Sequence, residues 1–93
     1  MRTIERTSQF KKDYKREKKG RHRTTLENDL ETALMMLMQD EALPESWCDH
    51  ALGGNWKDHR DCHIKPDLVL IYRKPNDEVL QLVRVGSHSE LGL

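Results

Sequence analysis

The stretch LVLIYRKPNDEVLQLVRV, residues 68–85, decides the fold. Its two ends, 68–73 and 79–85, are aliphatic, β-branched runs of strand composition. Between them Pro75, Asn76 and Asp77 form turns readily, and so short a connection predicts antiparallel neighbours. Toward the N-terminus, Pro66-Asp67 marks another turn, and residues 56–64 read as a further strand entered from Gly53-Gly54-Asn55.

The N-terminal half has a different period. Leu26, Leu30, Ala33, Leu34 and Leu37 recur at the spacing of one buried helical face, and Thr24 with Glu27 has the spacing of a capping box. Met35, Met36 and Met38 read as gap-filling or partner-facing thioethers. Before this helix, Phe10 and Tyr14 share a narrow apolar stripe on a basic one, capped by Thr7 or Ser8 and stopped at Gly20. Residues 2–6, with Ile4, predict an edge strand, and the stretch 40–46, with Pro44, breaks the second helix. The expected class is α+β: one small domain over residues 1–93, its N-terminal strand and helical hairpin packed on one face of a twisted antiparallel sheet.

Composition narrows the function. Hydrophobic residues make up 35% and charged residues 34% of the chain, enough apolar side chains for a modest core. No apolar run reaches the roughly 18 residues of a membrane span, and the first residues do not read as a secretory signal, so the expected location is cytoplasmic, away from membranes. Cys48 and Cys62 are too few for a disulfide framework. The zero net charge hides an asymmetry: residues 1–24 hold ten Lys/Arg against Glu5, Asp13 and Glu17, whereas residues 25–50 hold seven acids and no Lys or Arg. The basic N-terminal face suits a polyanion or an acidic partner.

The chemistry-bearing residues concentrate in 49–67, which contains His50, His59, His63 and four aspartates. Strand alternation puts Asp61 and His63 on one face, opposite Arg60, Cys62 and Ile64. It also puts Arg84, Gly86 and, if the last strand continues, His88 on one face opposite Val83 and Val85, so that an open face collects His63, Arg84 and His88. No GxxxxGK[ST], GxGxxG or GxSxG motif occurs. Cys62 and His63 point to opposite faces, against a thiol nucleophile, and Cys48-x-His50 with His59-x-x-Cys62-His63 lacks the spacing of paired zinc knuckles. Imidazoles and a guanidinium suit metal-free cleavage of RNA instead. The 2′-hydroxyl is the nucleophile, so the protein need only take its proton, protonate the leaving 5′ oxygen and offset charge on the phosphorane.

Asp49-His50-x-Leu52-x-Gly54-x-Trp56-Lys57, Arg60-Asp61-x-His63-x-x-Pro66-Asp67, Leu70-Ile71-Tyr72 and Arg84-x-Gly86-Ser87-His88 together resemble the YafQ branch of the RelE/ParE superfamily of toxin–antitoxin ribonucleases, over almost the whole chain. The resemblance implies an endoribonuclease without a cofactor or metal that enters the ribosomal A site and cuts mRNA there, leaving a 2′,3′-cyclic phosphate. Its catalytic positions match His50, His63, Asp67 and His88. The expected roles are His88 as general acid, His50 or Asp67 as base, and His63 with Arg84 holding the scissile phosphate. Lys57, Arg60, Lys11, Lys12 and Lys15 complete the expected RNA-contacting set. The resemblance further implies a cognate antitoxin, and ribosomal RNA and mRNA as partners. Leu68 and Gly92 occupy positions where the family often has aromatics, which points to a different codon preference. His59 reads as a surface residue, and Trp56 and Tyr72 as sheet-packing residues. The alternatives are a non-catalytic ParE-like gyrase inhibitor, which would not need this histidine set, and an RNA- or protein-binding module.

Overall fold

In chain order the elements are β1 (Thr3–Arg6), α1 (Ser8–Glu17), α2 (Leu26–Met38), β2 (His50–Ala51), β3 (Arg60–Lys65), β4 (Leu68–Arg73), β5 (Val79–Gly86) and α3 (His88–Leu91), in a computed structural model that describes residues 1–93. They build one five-stranded sheet in the order β1-β5-β4-β3-β2. The hairpin of β4 and β5 lies at its centre and is antiparallel, as are β3 with β4 and β2 with β3. β1 departs from the expected antiparallel arrangement: it lies parallel to β5, with Thr3 opposite Val79. The α-helical crossover that follows β1 makes a parallel partner possible. The sheet is therefore mixed within the expected α+β class, and none of the helices is long and apolar enough to cross a membrane.

β4 explains itself from both sides. Leu68, Leu70 and Tyr72 face the main core, with Phe10 of α1 and Leu26, Leu30, Ala33 and Leu37 of α2. Val69 and Ile71 face a smaller cluster with Leu91, bordered by Leu52, Trp56 and Val83. A strand covered on both faces reads as a continuous apolar run rather than an alternating one.

Local details correct several expectations. Thr7 caps α1, its hydroxyl accepting from the Phe10 N–H at 3.0 Å and donating to the Val83 carbonyl at 2.8 Å. The helix ends at Glu17, before Gly20. Thr24 and Glu27 form no capping box: Thr25 occupies the cap position of α2 without a side-chain bond. The strand expected at 56–64 starts at Arg60, because residues 54–56 coil into a 3-10 turn, and the unexpected β2 pairs with its first residues.

The phase of β5 also differs. Val83 and Val85 were expected on one face, yet Val83 borders the small cluster while Val85 lies in the main core. Tyr72 pairs with Leu82 and Ile71 with Arg84, so a bulge inserts one residue and shifts the alternation. β5 then ends at Gly86, and His88 opens α3 rather than continuing the strand.

Where β1 stops, α1 takes over as neighbour of β5. Asp13, fully buried, accepts from the Val85 N–H at 3.2 Å, from Arg84 Nε at 2.7 Å and Nη2 at 3.1 Å, and from Arg16 Nη1 at 2.9 Å. Its carboxylate thus satisfies a strand-edge amide that would otherwise be orphaned. Burial by itself pushes the Asp13 carboxyl up; the hydrogen bonds from Arg84, Val85 and Arg16 outweigh it and hold the group below 3.8. Asp13→Ala should destabilise the fold by about 3–5 kcal/mol, because it leaves Arg84 without its counter-charge. The folded state binds this proton more weakly than the unfolded state, so the Asp13 contribution is complete above the ordinary carboxyl value of 3.8 and is lost as pH falls through the lower folded value. Urea denaturation from pH 6 down to 2 should show that loss in the wild type and a flatter profile in Asp13→Asn.

Candidate active site

Three elements meet at one end of the sheet. β3 contributes His63, the turn between β3 and β4 contributes Asp67, and α3 contributes His88 as its first residue. The rings of His63 and His88 contact edge to face with centroids 5.0 Å apart. Asp67 Oδ1 accepts from His88 Nδ1 at 3.2 Å and from the His88 backbone N–H at 3.4 Å. These bonds from His88, side chain first, hold the Asp67 carboxyl below its ordinary range. An ionised carboxylate can only accept, so Nδ1 carries the proton and Nε2 of His88 is left for another partner.

His50 repeats the arrangement further along. β2 places it opposite Asp61, with Nδ1 2.9 Å from Asp61 Oδ1 and 2.7 Å from the Cys48 carbonyl. The ring N–H aligns with the carbonyl, so Asp61 Oδ1 is buried beside the imidazole without a hydrogen bond of its own. Both acceptors lie at Nδ1, which again leaves Nε2 free. Asp61 and His63 share a face of β3 about 6.6 Å apart along the strand, so His50, opposite Asp61, and His88, against His63, meet the strand at neighbouring positions.

The α3 terminus is held firmly. Ser87 Oγ accepts from the Glu90 N–H at 3.2 Å while Glu90 Oε1 accepts from the Ser87 N–H at 2.9 Å, a reciprocal cap that fixes His88 between them. Arg16 joins α1 to α3 through Glu90 at 2.9 Å and lies over Gly86, where an added Cβ would stand 2.7 Å from Arg16 Nη2.

The other expected residues fall into distinct groups. Arg84 turns to α1, its Nε and Nη2 both occupied by Asp13 rather than aimed at the histidines. Arg60 donates to Asp49 at 3.2 Å, and Asp49 also accepts from the buried Tyr72 hydroxyl at 2.6 Å, so this trio braces β2 against β3 and β4. Lys11, Lys12 and Lys15 are exposed along α1, and Lys57 is exposed in the turn before β3. His59 is bound locally, its Nδ1 on the Lys57 carbonyl at 2.9 Å and its ring against Trp56. Cys62 is fully buried, and burial pushes its thiol up to about 12, which leaves no thiolate for attack.

Leu68 lies in the main core and Gly92 adopts φ 71° at the end of α3, so neither position presents a stacking surface. The exposed side of His63 instead borders a cleft of about 470 Å³ with Trp47 on its wall. Sequence reasoning missed the partners: Asp61 behind His50, Asp13 beneath Arg84, and Arg21, whose Nη2 lies 3.9 Å from Asp67 Oδ2.

Residues 2–92 match the family described as a bacterial toxin of type II toxin-antitoxin system, YafQ. The chain is 40% identical over 91 residues to the mRNA interferase toxin YafQ of Escherichia coli K12, covering 97% of this chain and 95% of that one. The crystal structure of YafQ from E. coli BL21(DE3) superposes with a TM-score of 0.84 at 36% identity, covering 98% of both chains. The toxin in the crystal structure of the E. coli DinJ-YafQ complex superposes with a TM-score of 0.83 at 37% identity, over 98% of both chains.

Because the His88 bonds are the main cause of the low Asp67 value, His88→Ala should move the Asp67 carboxyl up toward 3.8. A carbon-detected NMR titration of the side-chain carboxyl reads this directly, and an unchanged value would show that the pair does not persist in solution.

Proposed function

The chain belongs to the YafQ family of bacterial type II toxin–antitoxin toxins, and from that membership we propose how its histidines cut RNA. It is an mRNA interferase, an endoribonuclease. The observation that carries the mechanism is the paired construction of the site: His50 and His88 each have a carboxylate at Nδ1, and His88 packs against His63.

In the proposed reaction, His50 accepts the 2′-hydroxyl proton at Nε2 and the 2′ oxygen attacks the adjacent phosphorus. His88 enters the step as an imidazolium, with one proton at Nδ1 on Asp67 and one at Nε2, and gives the Nε2 proton to the departing 5′ oxygen as the P–O5′ bond breaks, so the products are a 2′,3′-cyclic phosphate and a 5′-hydroxyl. Asp67 is the less suitable base, because its Oδ1 is already engaged in orienting His88. The Asp67 carboxylate fixes the tautomer of His88 and the Cys48 carbonyl that of His50, while the carboxylate beside each ring steadies the charge it carries during transfer. His63, packed against His88, faces the non-bridging oxygens of the phosphate.

The substrate is mRNA in the A site of a translating ribosome, which places the toxin in the cytoplasm. The exposed Lys11, Lys12 and Lys15 of α1 supply a basic face for ribosomal RNA, whose phosphates attract such a surface regardless of sequence. Its second partner is a cognate antitoxin, as in the DinJ-YafQ complex of E. coli.

Mapping mRNA 5′ ends by primer extension in a purified translation reaction should show cuts at A-site codons with the wild type. His88→Ala should lower cleavage by about 10²–10⁴-fold, with its thermal unfolding near that of the wild type. A 2′-deoxy nucleotide 5′ to the scissile phosphate should also stop the reaction. Normal cleavage by His88→Ala would overturn the assignment, and arrest of translation without any cut would overturn the nuclease mechanism.

A further inference from the structure

Cations near the site differ sharply in how far they are committed. Arg84 gives Nε and Nη2 to Asp13. Arg16 is shared among Asp13, Glu17 and Glu90 and also donates to the Val85 carbonyl. A phosphate competing for either guanidinium would have to break short, partly buried bonds and leave Asp13 buried without its counter-charges.

Arg21 stands apart from both. It lies in the turn between α1 and α2, its side chain is 75% exposed, and its one ionic contact is the 3.9 Å approach of Nη2 to Asp67 Oδ2. That distance is too long for a hydrogen bond, so the guanidinium keeps all its donors for another acceptor. It overhangs a cleft of about 450 Å³ lined only by polar residues and glycine, including Gly20, His22, Asp67, Ser87 and Ser89. Glu17 and Glu90 also face this cleft, and both are held by Arg16.

Resting on the nuclease reading above, we propose that Arg21 is the phosphate-binding residue of this site: it leaves Asp67 and clamps an RNA phosphate next to the scissile linkage, while Arg84 serves the fold through Asp13. The planar fork of a guanidinium suits a phosphate, and Asp67 gives Arg21 a resting place close to its target. The polar cleft beneath it provides a path for the backbone leaving the histidines. In its resting position Arg21 faces Asp67 from the turn between β3 and β4, with His88 of α3 on the same carboxylate and His22 beside it on its own turn.

The test uses programmed ribosomes and mRNAs carrying one neutral methylphosphonate linkage, moved along the A-site codon and its neighbours. Arg21→Ala should raise the toxin concentration for half-maximal cleavage roughly ten- to hundredfold, with thermal unfolding unchanged and partial recovery in Arg21→Lys. The wild type should lose cleavage when the neutral linkage replaces one phosphate flanking the cut, and Arg21→Ala should show no further loss at that position. The slope of log affinity against log salt should also fall by about 0.7 in the variant. Cleavage by Arg21→Ala equal to wild type, or a weakened variant still sensitive at every linkage, would overturn the clamp while leaving the nuclease reading intact. Absence of cutting by the wild type would overturn both.

Discussion

The buried carboxylate of Asp13 is the contact on which the rest of the molecule depends. β1 covers only the first half of β5, and beyond Leu82 the strand edge would expose unpaired backbone to a helix. Asp13 closes that gap by accepting from the Val85 amide, and Arg84 and Arg16 neutralise it from either side. An isolated buried carboxylate would be strongly unfavourable. With two guanidiniums it becomes the fixed point that joins α1 to β5. Through Arg16 the same group reaches Glu90, and so the short helix that carries His88. The short helix that carries His88 and the helical layer thus share one ionic chain.

That arrangement divides the charged residues by task. Arginines deep in the chain of ion pairs hold elements together, and their donors are spent on protein acceptors. His50 and His88 keep Nε2 open because carboxylate or carbonyl oxygens occupy Nδ1. Charge alone does not distinguish these uses. Arg84 and Arg21 have the same side chain, and what separates them is whether a buried acid already holds the guanidinium.

Much of the architecture was legible in the chain. The runs at 68–73 and 79–85 flank turn formers, and Leu26, Leu30, Ala33 and Leu37 mark their buried face by period alone. The parallel placement of β1 was not legible, since edge order depends on packing far away in sequence. The bulge at Val83 did leave a trace: Leu80, Leu82 and Val85 are spaced by two and then three, a break in the period of a regular strand. Asp13 left one too, three positions after Phe10 and hence on the apolar side of α1, though the surrounding lysines masked it. His63 and His88 belong to one site only because the turn at Pro66-Asp67 and the end of β5 converge, which spacing in the sequence does not state. The motif set resembling the YafQ branch made that convergence expected; the pairing of His50 with Asp61 needed coordinates.

The parallel pairing of β1 with β5 orders events during synthesis. The Thr7 hydroxyl bonds to Val83, 76 positions along the chain. As the nascent chain emerges, α1 and α2 can coil from local contacts, yet Phe10 has no sheet beneath it and Asp13 no Arg84 until the last strand is made. Contacts this distant in sequence form late, after loop closure becomes possible. His50 and His63 are therefore translated onto an unfinished scaffold, and His88 arrives last of all. The fold that gathers these histidines therefore cannot close until β5 itself is free of the ribosome and can pair with β1 and α1.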